Sequence, residues 1–136
     1  MIVVDTNVIA YLWIPGPLTE LASRLLERDG AWYAPPLWRS ELRNVLLGHV
    51  RAGKGSLEAA RKVMEVAEEQ LAEWTVDVDS ADVLRLGRES GCSAYDCEFV
   101  SLARQLGIPL VTADRRLAKA FPGVARTLTE AVEGNP

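Results

Sequence analysis

Short apolar runs alternate along the chain with longer segments in which apolar residues recur every three or four positions. The short runs predict strands, and they occupy residues 2–4, 32–34, 75–78, 109–112 and, more weakly, 124–127. The longer segments predict helices over residues 6–13, 18–28, 37–51, 57–74, 81–90, 94–106 and 114–120. The runs at 2–4 and 109–112 are apolar without alternation, which is typical of parallel strands covered on both faces. This order of elements predicts an α/β fold with a central, mainly parallel sheet flanked by helices.

Length and composition indicate one domain with a single hydrophobic core. The chain has 136 residues, of which 49% are hydrophobic and 25% charged, an ordinary globular composition. The apolar N-terminus lacks a basic region and contains Asp5, so we do not expect a signal peptide. No uninterrupted apolar run reaches the roughly 18 residues of a transmembrane helix. Cys92 and Cys97 are not spaced as a redox pair or zinc half-site, which favours free thiols and a cytoplasmic protein.

Four acidic residues occupy positions where an ionised carboxylate would destabilise the fold unless a positive charge lies beside it. Asp5 and Asp114 follow the apolar runs at 2–4 and 109–112, whose carboxyl ends meet at one edge of a parallel sheet. Glu41 falls on the apolar side of its helix, between Leu37 and Val45, and Asp96 falls on the apolar side of the helix 94–106. The opposite, solvent-facing side of that second helix is predicted to carry Glu98, Ser101 and Gln105. Scattered carboxylates that converge in a fold suit a hard cation such as Mg²⁺.

Each acidic residue also has an ordinary structural explanation. Asp5 and Asp114 are equally suited to cap the helices that follow them. Asp96 completes a capping-box pattern with Ser93, and a salt bridge to a neighbouring arginine would satisfy Glu41. The next candidate, at the end of the run 109–112, is Thr112. Its hydroxyl is placed to bind a metal-bound water or a phosphate, but a β-branched strand residue is an equally good explanation.

The overall charge neither supports nor excludes a nucleic-acid substrate. A formal net charge of −4 is unusual for a protein that contacts phosphates. Two bound Mg²⁺ ions would bring that sum to about zero, and arginines flank two of the acidic residues: Arg39 and Arg43 beside Glu41, Arg115 and Arg116 beside Asp114. His49 is the only histidine in the sequence. A single histidine argues against most histidine-based metal sites and gives little support to Ser-His-Asp hydrolysis.

Four short motifs contain the four acidic residues in order along the chain: Val-Val-Asp-Thr-Asn at 3–7, Ser-Glu-Leu at 40–42, Tyr-Asp at 95–96 and the segment 110–117. They look like the first, second, third and fourth motifs of the PIN-domain ribonucleases, and the chain resembles in particular the VapC-like toxins of toxin–antitoxin pairs. Cys97 departs from the small residue, such as alanine, that is usual in the third motif. The resemblance spans about residues 1–128 and implies one PIN-like nuclease domain over 1–136 with a short C-terminal tail.

The resemblance also implies an acidic pocket that holds one or two Mg²⁺ or Mn²⁺ ions. Carried over residue by residue, the metal-binding and catalytic residues would be Asp5, Glu41, Asp96 and Asp114. Thr112, and either Thr6 or Asn7, would support them. A homodimer and a protein antitoxin that blocks the site are implied as partners.

The hypothesis that follows is metal-dependent hydrolysis of RNA by an endoribonuclease toxin. One alternative is a PIN-type RNA maturation or decay nuclease without an antitoxin. Another is a non-catalytic module that binds RNA or protein. A phosphotransferase with Asp5 as nucleophile is a further possibility at a strand end, but its haloacid-dehalogenase pattern requires aspartate where this chain has Asn7.

Overall fold

A parallel sheet of four strands lies at the centre of the fold within residues 1–134, the part of the chain that this computed structural model describes. The strands are β1 (Ile2–Val4), β2 (Trp32–Tyr33), β3 (Leu110–Thr112) and β4 (Ala125–Thr127), in the order β2-β1-β3-β4. Val3 pairs with both Tyr33 and Leu110, and Val4 pairs with Val111. The central strands are short, buried and rich in β-branched residues, as expected for strands covered on both faces.

Helices flank the sheet and enclose its apolar side chains. Eight helices occur among residues 1–134: α1 (Thr6–Trp13), α2 (Thr19–Arg28), α3 (Leu37–Arg51), α4 (Leu57–Leu71), α5 (Ser80–Ser90), α6 (Ala94–Leu106), α7 (Arg115–Ala120) and α8 (Leu128–Glu133). Helix α6 packs on β1 and β3, α1 packs on α2 and α3, and α4 packs on α3. The predicted α/β architecture, with its parallel sheet between helices, is confirmed.

The predicted strand over 75–78 is wrong. Only one isolated parallel bridge forms there, between Ala34 and Thr75, through the Ala34 N–H to the Trp74 carbonyl (3.2 Å) and the Val76 N–H to the Ala34 carbonyl (3.0 Å). The next hydrogen bond of such a ladder would need a backbone N–H from Pro36. Because proline has none, the pairing ends after one residue.

The C-terminal end is more ordered than the sequence analysis predicted. Residues after 128 were expected to form a short tail, but α8 occupies Leu128–Glu133 and packs against α2. Thr127 and Glu130 form a reciprocal capping box, which starts the helix. Residues 135 and 136 of the predicted tail lie outside the described part of the chain.

The predicted solvent-facing side of helix α6 is correct in part. Gln105 is exposed as predicted, but Ser101 is buried. The Ser101 hydroxyl donates to Asp82 Oδ2 (2.6 Å) because α5 covers that face. Glu98 is half-buried, and burial raises the pKa of its carboxyl. The middle of the helix that carries Asp96 is therefore enclosed by other elements.

Candidate active site

The four predicted acidic residues line a single cavity at the carboxyl ends of β1 and β3. The cavity measures about 220 Å³ and is bordered by Asp5, Thr6, Asn7, Glu41, Asn44, Val45, Asp96, Phe99, Asp114 and Leu117. Strand register causes part of this convergence, because Val4 and Val111 pair in parallel, so that Asp5 and Asp114 follow their strands at the same edge of the sheet. Helices α3 and α6 supply the other two carboxylates. The predicted convergence is therefore present, while the chemical roles of these residues stay predictions.

Asp5 is the most deeply buried of the four carboxylates, and the protein itself holds both of its oxygens. Oδ1 accepts from the Val8 N–H (3.1 Å) and so caps α1. Oδ2 accepts from the Ala113 N–H (3.0 Å) and from the Thr112 hydroxyl. Burial raises the pKa of Asp5 and the Glu41 charge adds to the rise, while the three hydrogen bonds oppose it. The helix cap proposed as the ordinary role of Asp5 is present, and the carboxylate also faces the acidic cavity.

Thr112 is fully buried and joins the two acidic strand ends. Its hydroxyl donates to Asp5 Oδ2 and accepts from the Asp114 N–H (2.9 Å). Both functions of the hydroxyl are therefore used within the protein. The structure places Thr112 behind Asp5, where it orients that carboxylate.

Glu41 is half-buried on α3 and receives a hydrogen bond from Thr6, whose hydroxyl donates to Oε1 (2.7 Å). The salt bridge that would have satisfied Glu41 is absent: within residues 1–134, none of the four carboxylates forms one. Arg43 instead pairs with Glu68 (3.8 Å), and Arg39 lies over the Trp38 ring (5.4 Å). Burial raises the pKa of Glu41, and nearby acidic side chains raise it further.

Asp96 and Asp114 complete the acidic side of the cavity. Ser93 caps α6 by accepting from the Asp96 N–H (3.0 Å), and burial followed by the Asp114 charge raises the pKa of the Asp96 carboxyl. Asp114 caps α7 by accepting from the Arg116 N–H (2.8 Å) and the Leu117 N–H (3.3 Å). Arg116 is the nearby positive group that opposes the rise at Asp96. The predicted capping role of Asp114 is therefore present as well.

The donor set of this cavity suits a hard divalent cation. Mutual repulsion runs through the cluster, since Glu41 raises the pKa of Asp5, Asp96 raises that of Glu41, and Asp114 raises that of Asp96. Among residues 1–134, no three acidic, histidine or cysteine side chains form a ready-made metal cage. Mg²⁺ does not need such a cage, because it retains several waters and uses one or two carboxylates with substrate phosphate.

Sequence reasoning missed one polar residue of the cavity, Asn44. It lies three residues after Glu41 on α3 and borders the same space. The signal was present in the helical repeat, because residues three apart share a face. An amide carbonyl is a hard oxygen ligand of the kind that Mg²⁺ and Mn²⁺ accept.

Comparisons with known proteins point in the same direction as the geometry. Residues 2–121 match the family model described as PIN domain. Ribonuclease VapC3 of Pyrobaculum aerophilum is 32% identical over 127 residues, which cover 90% of this chain and 96% of that protein. Within the part of the chain that the structure describes, no helix has the length and apolar character needed to cross a bilayer.

Solved structures share the fold at low sequence identity. The crystal structure of PAE2754 from Pyrobaculum aerophilum has a TM-score of 0.75 and 22% identity, covering 97% of this chain and 93% of the other. A toxin–antitoxin complex from Klebsiella pneumoniae has a TM-score of 0.66 and 16% identity, covering 94% of this chain and 98% of the other. At these identities the likeness establishes the fold alone.

Proposed function

The chain belongs to the PIN-domain family, and from that premise we propose that it is a metal-dependent endoribonuclease and the toxin of a toxin–antitoxin pair. One observation carries the proposal: four carboxylates line one small cavity, and none of them forms a salt bridge within residues 1–134. Burying ionised carboxylates without a positive partner costs several kcal/mol or forces protonation. A divalent cation relieves that cost.

The residues that would hold Mg²⁺ or Mn²⁺, as one or two ions, are Asp5, Glu41, Asp96 and Asp114. A cation bound there supplies an activated water and stabilises the charge that develops on the phosphodiester. The protein's own contribution is orientation. Thr112 and the Ala113 N–H fix the Asp5 carboxylate, and Thr6 fixes Glu41. Attack by water on phosphorus, with departure of the ribose 3′ oxygen, leaves a 5′-phosphate and a 3′-hydroxyl.

Cleavage of labelled RNA in Mg²⁺, in Mn²⁺ and in EDTA tests this proposal. We expect cleavage with either cation, none in EDTA, and restoration when the cation is returned in excess. Product ends should accept a 3′-adapter without phosphatase treatment. Products that carry a 2′,3′-cyclic phosphate would contradict hydrolysis by water, because they form when the ribose 2′-hydroxyl attacks. Equal cleavage in EDTA would contradict the cation requirement.

Removal of the Thr112 hydroxyl is expected to impair the chemical step. Thr112→Val keeps the shape of the buried side chain but leaves Asp5 Oδ2 without one of its donors. Loss of one such positioning contact typically costs about 10- to 100-fold in activity, and we expect it in kcat with little change in KM. Because that hydrogen bond lowers the pKa of Asp5, the acidic limb of the kcat profile should move to higher pH.

The matched control is Thr112→Ser, which retains the hydroxyl. We expect it to restore most of the activity and the parental pH profile. If Thr112→Val and Thr112→Ser lost activity equally, strand packing rather than the hydroxyl would be responsible, and the positioning role would be wrong.

The proposed partners are RNA, a cognate antitoxin and a second copy of the chain. The Klebsiella pneumoniae neighbour is a toxin–antitoxin complex, which supports an antitoxin as partner. Exposed apolar residues on the α3–α4 hairpin, namely Leu47, Leu57 and Val66, support a homodimer. Free thiols at Cys92 and Cys97 suit the reducing cytoplasm, where we expect the protein to act.

A further inference from the structure

Positive charge is concentrated in one segment of this acidic chain. Residues 104–126 contain five of the 15 Lys and Arg residues but only one of the 19 acidic residues, a local charge of +4. The remainder of the chain therefore carries −8, which with +4 gives the overall −4. Within residues 1–134, none of these five cations forms a salt bridge: Arg104, Arg115, Arg116, Lys119 and Arg126. Unpaired cations concentrated in one segment suit a polyanionic ligand.

Two of these cations line a second cavity. It measures about 700 Å³, within the range of roughly 300–1,000 Å³ that is typical of small-molecule sites. Thr112 and Ala113 border it, and these residues also hold Asp5. Arg115 and Lys119, one turn apart on α7, line one wall. Adjacent residues after β3 therefore line the two cavities, Ala113 and Arg115 the second and Asp114 the acidic one.

The second cavity also has an apolar part to its lining. Helix α1 and the start of α2 contribute Tyr11, Leu18 and Leu21 to it. Tyr11 supplies an aromatic ring to this part of the lining. The acidic residue on the rim is Glu130, and its Oε2 accepts from the Thr127 N–H (3.2 Å) within the α8 capping box.

We propose that this second cavity binds a nucleotide of single-stranded RNA next to the scissile phosphate. Arg115 and Lys119 contact the phosphate of that nucleotide, and the wall formed by Tyr11, Leu18 and Leu21 packs against its base. A cavity that combines cations with aromatic and apolar side chains suits single-stranded nucleic acid. The inference rests on the proposed ribonuclease function and adds where the substrate strand lies.

Binding of a short fluorescein-labelled single-stranded RNA, measured by fluorescence anisotropy, tests the inference. The Asp5→Asn background in Mg²⁺ keeps the strand intact. Arg115→Ala/Lys119→Ala should weaken binding about tenfold for all sequences and reduce the slope of log Kd against log salt by about 1.4, the value for two phosphate contacts on a single strand. Arg51→Ala/Lys54→Ala is the matched control, since it removes two exposed cations from the α3–α4 hairpin that line neither cavity. We expect that control to bind like the background protein.

The outcomes separate the inference from the function on which it rests. If the parent protein cleaves RNA but the Arg115/Lys119 variant binds with the affinity and salt slope of the control, the cavity does not hold the strand. That result would assign the basic wall to a protein partner and overturn the inference alone. If the parent protein neither binds nor cleaves RNA, both proposals fail. Photocrosslinking of 4-thiouridine RNA at Tyr11 or Leu18 would support the base contact, and adducts confined to other surfaces would contradict it.

Discussion

Asp5→Asn is expected to reduce RNA cleavage by about a hundred- to a thousandfold while leaving the protein folded. Both oxygens of Asp5 accept hydrogen bonds, from the Val8 N–H on one side and from the Thr112 hydroxyl and the Ala113 N–H on the other. An asparagine has one acceptor oxygen, so its amide NH₂ must face donors on one side. The negative charge that would hold a cation is lost as well. Cleavage rates in Mg²⁺ and far-ultraviolet circular dichroism measure the two parts of this prediction.

Asp79→Asn is the matched control for the capping function of Asp5. Asp79 caps α5 by accepting from the Asp82 N–H (3.3 Å) and does not border the acidic cavity. Asparagine caps helices about as well as aspartate, so this variant should retain parental activity. Comparable loss of cleavage in both variants would show that helix capping, and not the acidic cavity, explains the effect of Asp5.

Trp38→Ala is expected to destabilise the protein by about 3–5 kcal/mol. The Trp38 side chain is fully buried in the first turn of α3, and its Nε1–H donates to Thr75 Oγ1 (2.9 Å). Truncation leaves a large cavity beneath the helix that carries Glu41 and removes the contact that holds the segment after α4. Urea unfolding followed by circular dichroism measures the change in the free energy of unfolding.

Trp38→Phe separates the two contributions at this position. The phenylalanine retains most of the apolar volume but cannot donate the hydrogen bond to Thr75 Oγ1. The Thr75 hydroxyl still donates to the Leu71 carbonyl (2.8 Å). We expect a loss of about 1–3 kcal/mol, clearly smaller than for alanine. A loss for Trp38→Ala within about 0.5 kcal/mol of zero, the range of an ordinary surface substitution, would show that this residue is not part of the core.

The acidic site was predictable because its positions follow from local rules. Asp5 and Asp114 each follow an apolar strand, and parallel strands end at a common edge. Glu41 was indicated by the helical repeat, which placed a carboxylate between apolar neighbours. These rules need only the residue order, so four residues that are far apart in sequence were assigned to one cavity.

Contacts between distant segments account for what the sequence did not reveal. The Thr112 hydroxyl meets Asp5 across 107 positions, and Thr6 meets Glu41 across 35. No local sequence pattern determines where either of these two hydroxyls points. The predicted strand at 75–78 failed because its partner segment runs into Pro35 and Pro36, and Ser101 was assigned to solvent because the coverage of α6 by α5 is a tertiary contact. Helix α8 was missed although Thr127 and Glu130 have the capping-box spacing.

The measurement that tests the central claim most directly is the stabilisation of the protein by Mn²⁺ at two pH values. In EDTA, burial raises the folded-state pKa values of Asp5, Glu41 and Asp96 above their ordinary 3.8, 4.5 and 3.8. Stability from these groups is therefore present below those ordinary values and is lost as pH rises through the raised folded-state values. Mn²⁺ competes with protons for the same oxygens. Its stabilising effect should therefore grow as the pH rises.

We predict that Mn²⁺ at about one hundred times its dissociation constant increases the free energy of unfolding by about 2.7 kcal/mol at pH 7.5. The increment should be smaller at pH 5 and largely absent in Asp5→Asn. Because each increment is the difference between Mn²⁺ and EDTA at one pH, the contributions of all other titrating groups to the free energy of unfolding cancel. An increment that is zero at both pH values, or equal in the parent and in Asp5→Asn, would contradict a cation site formed by these four carboxylates.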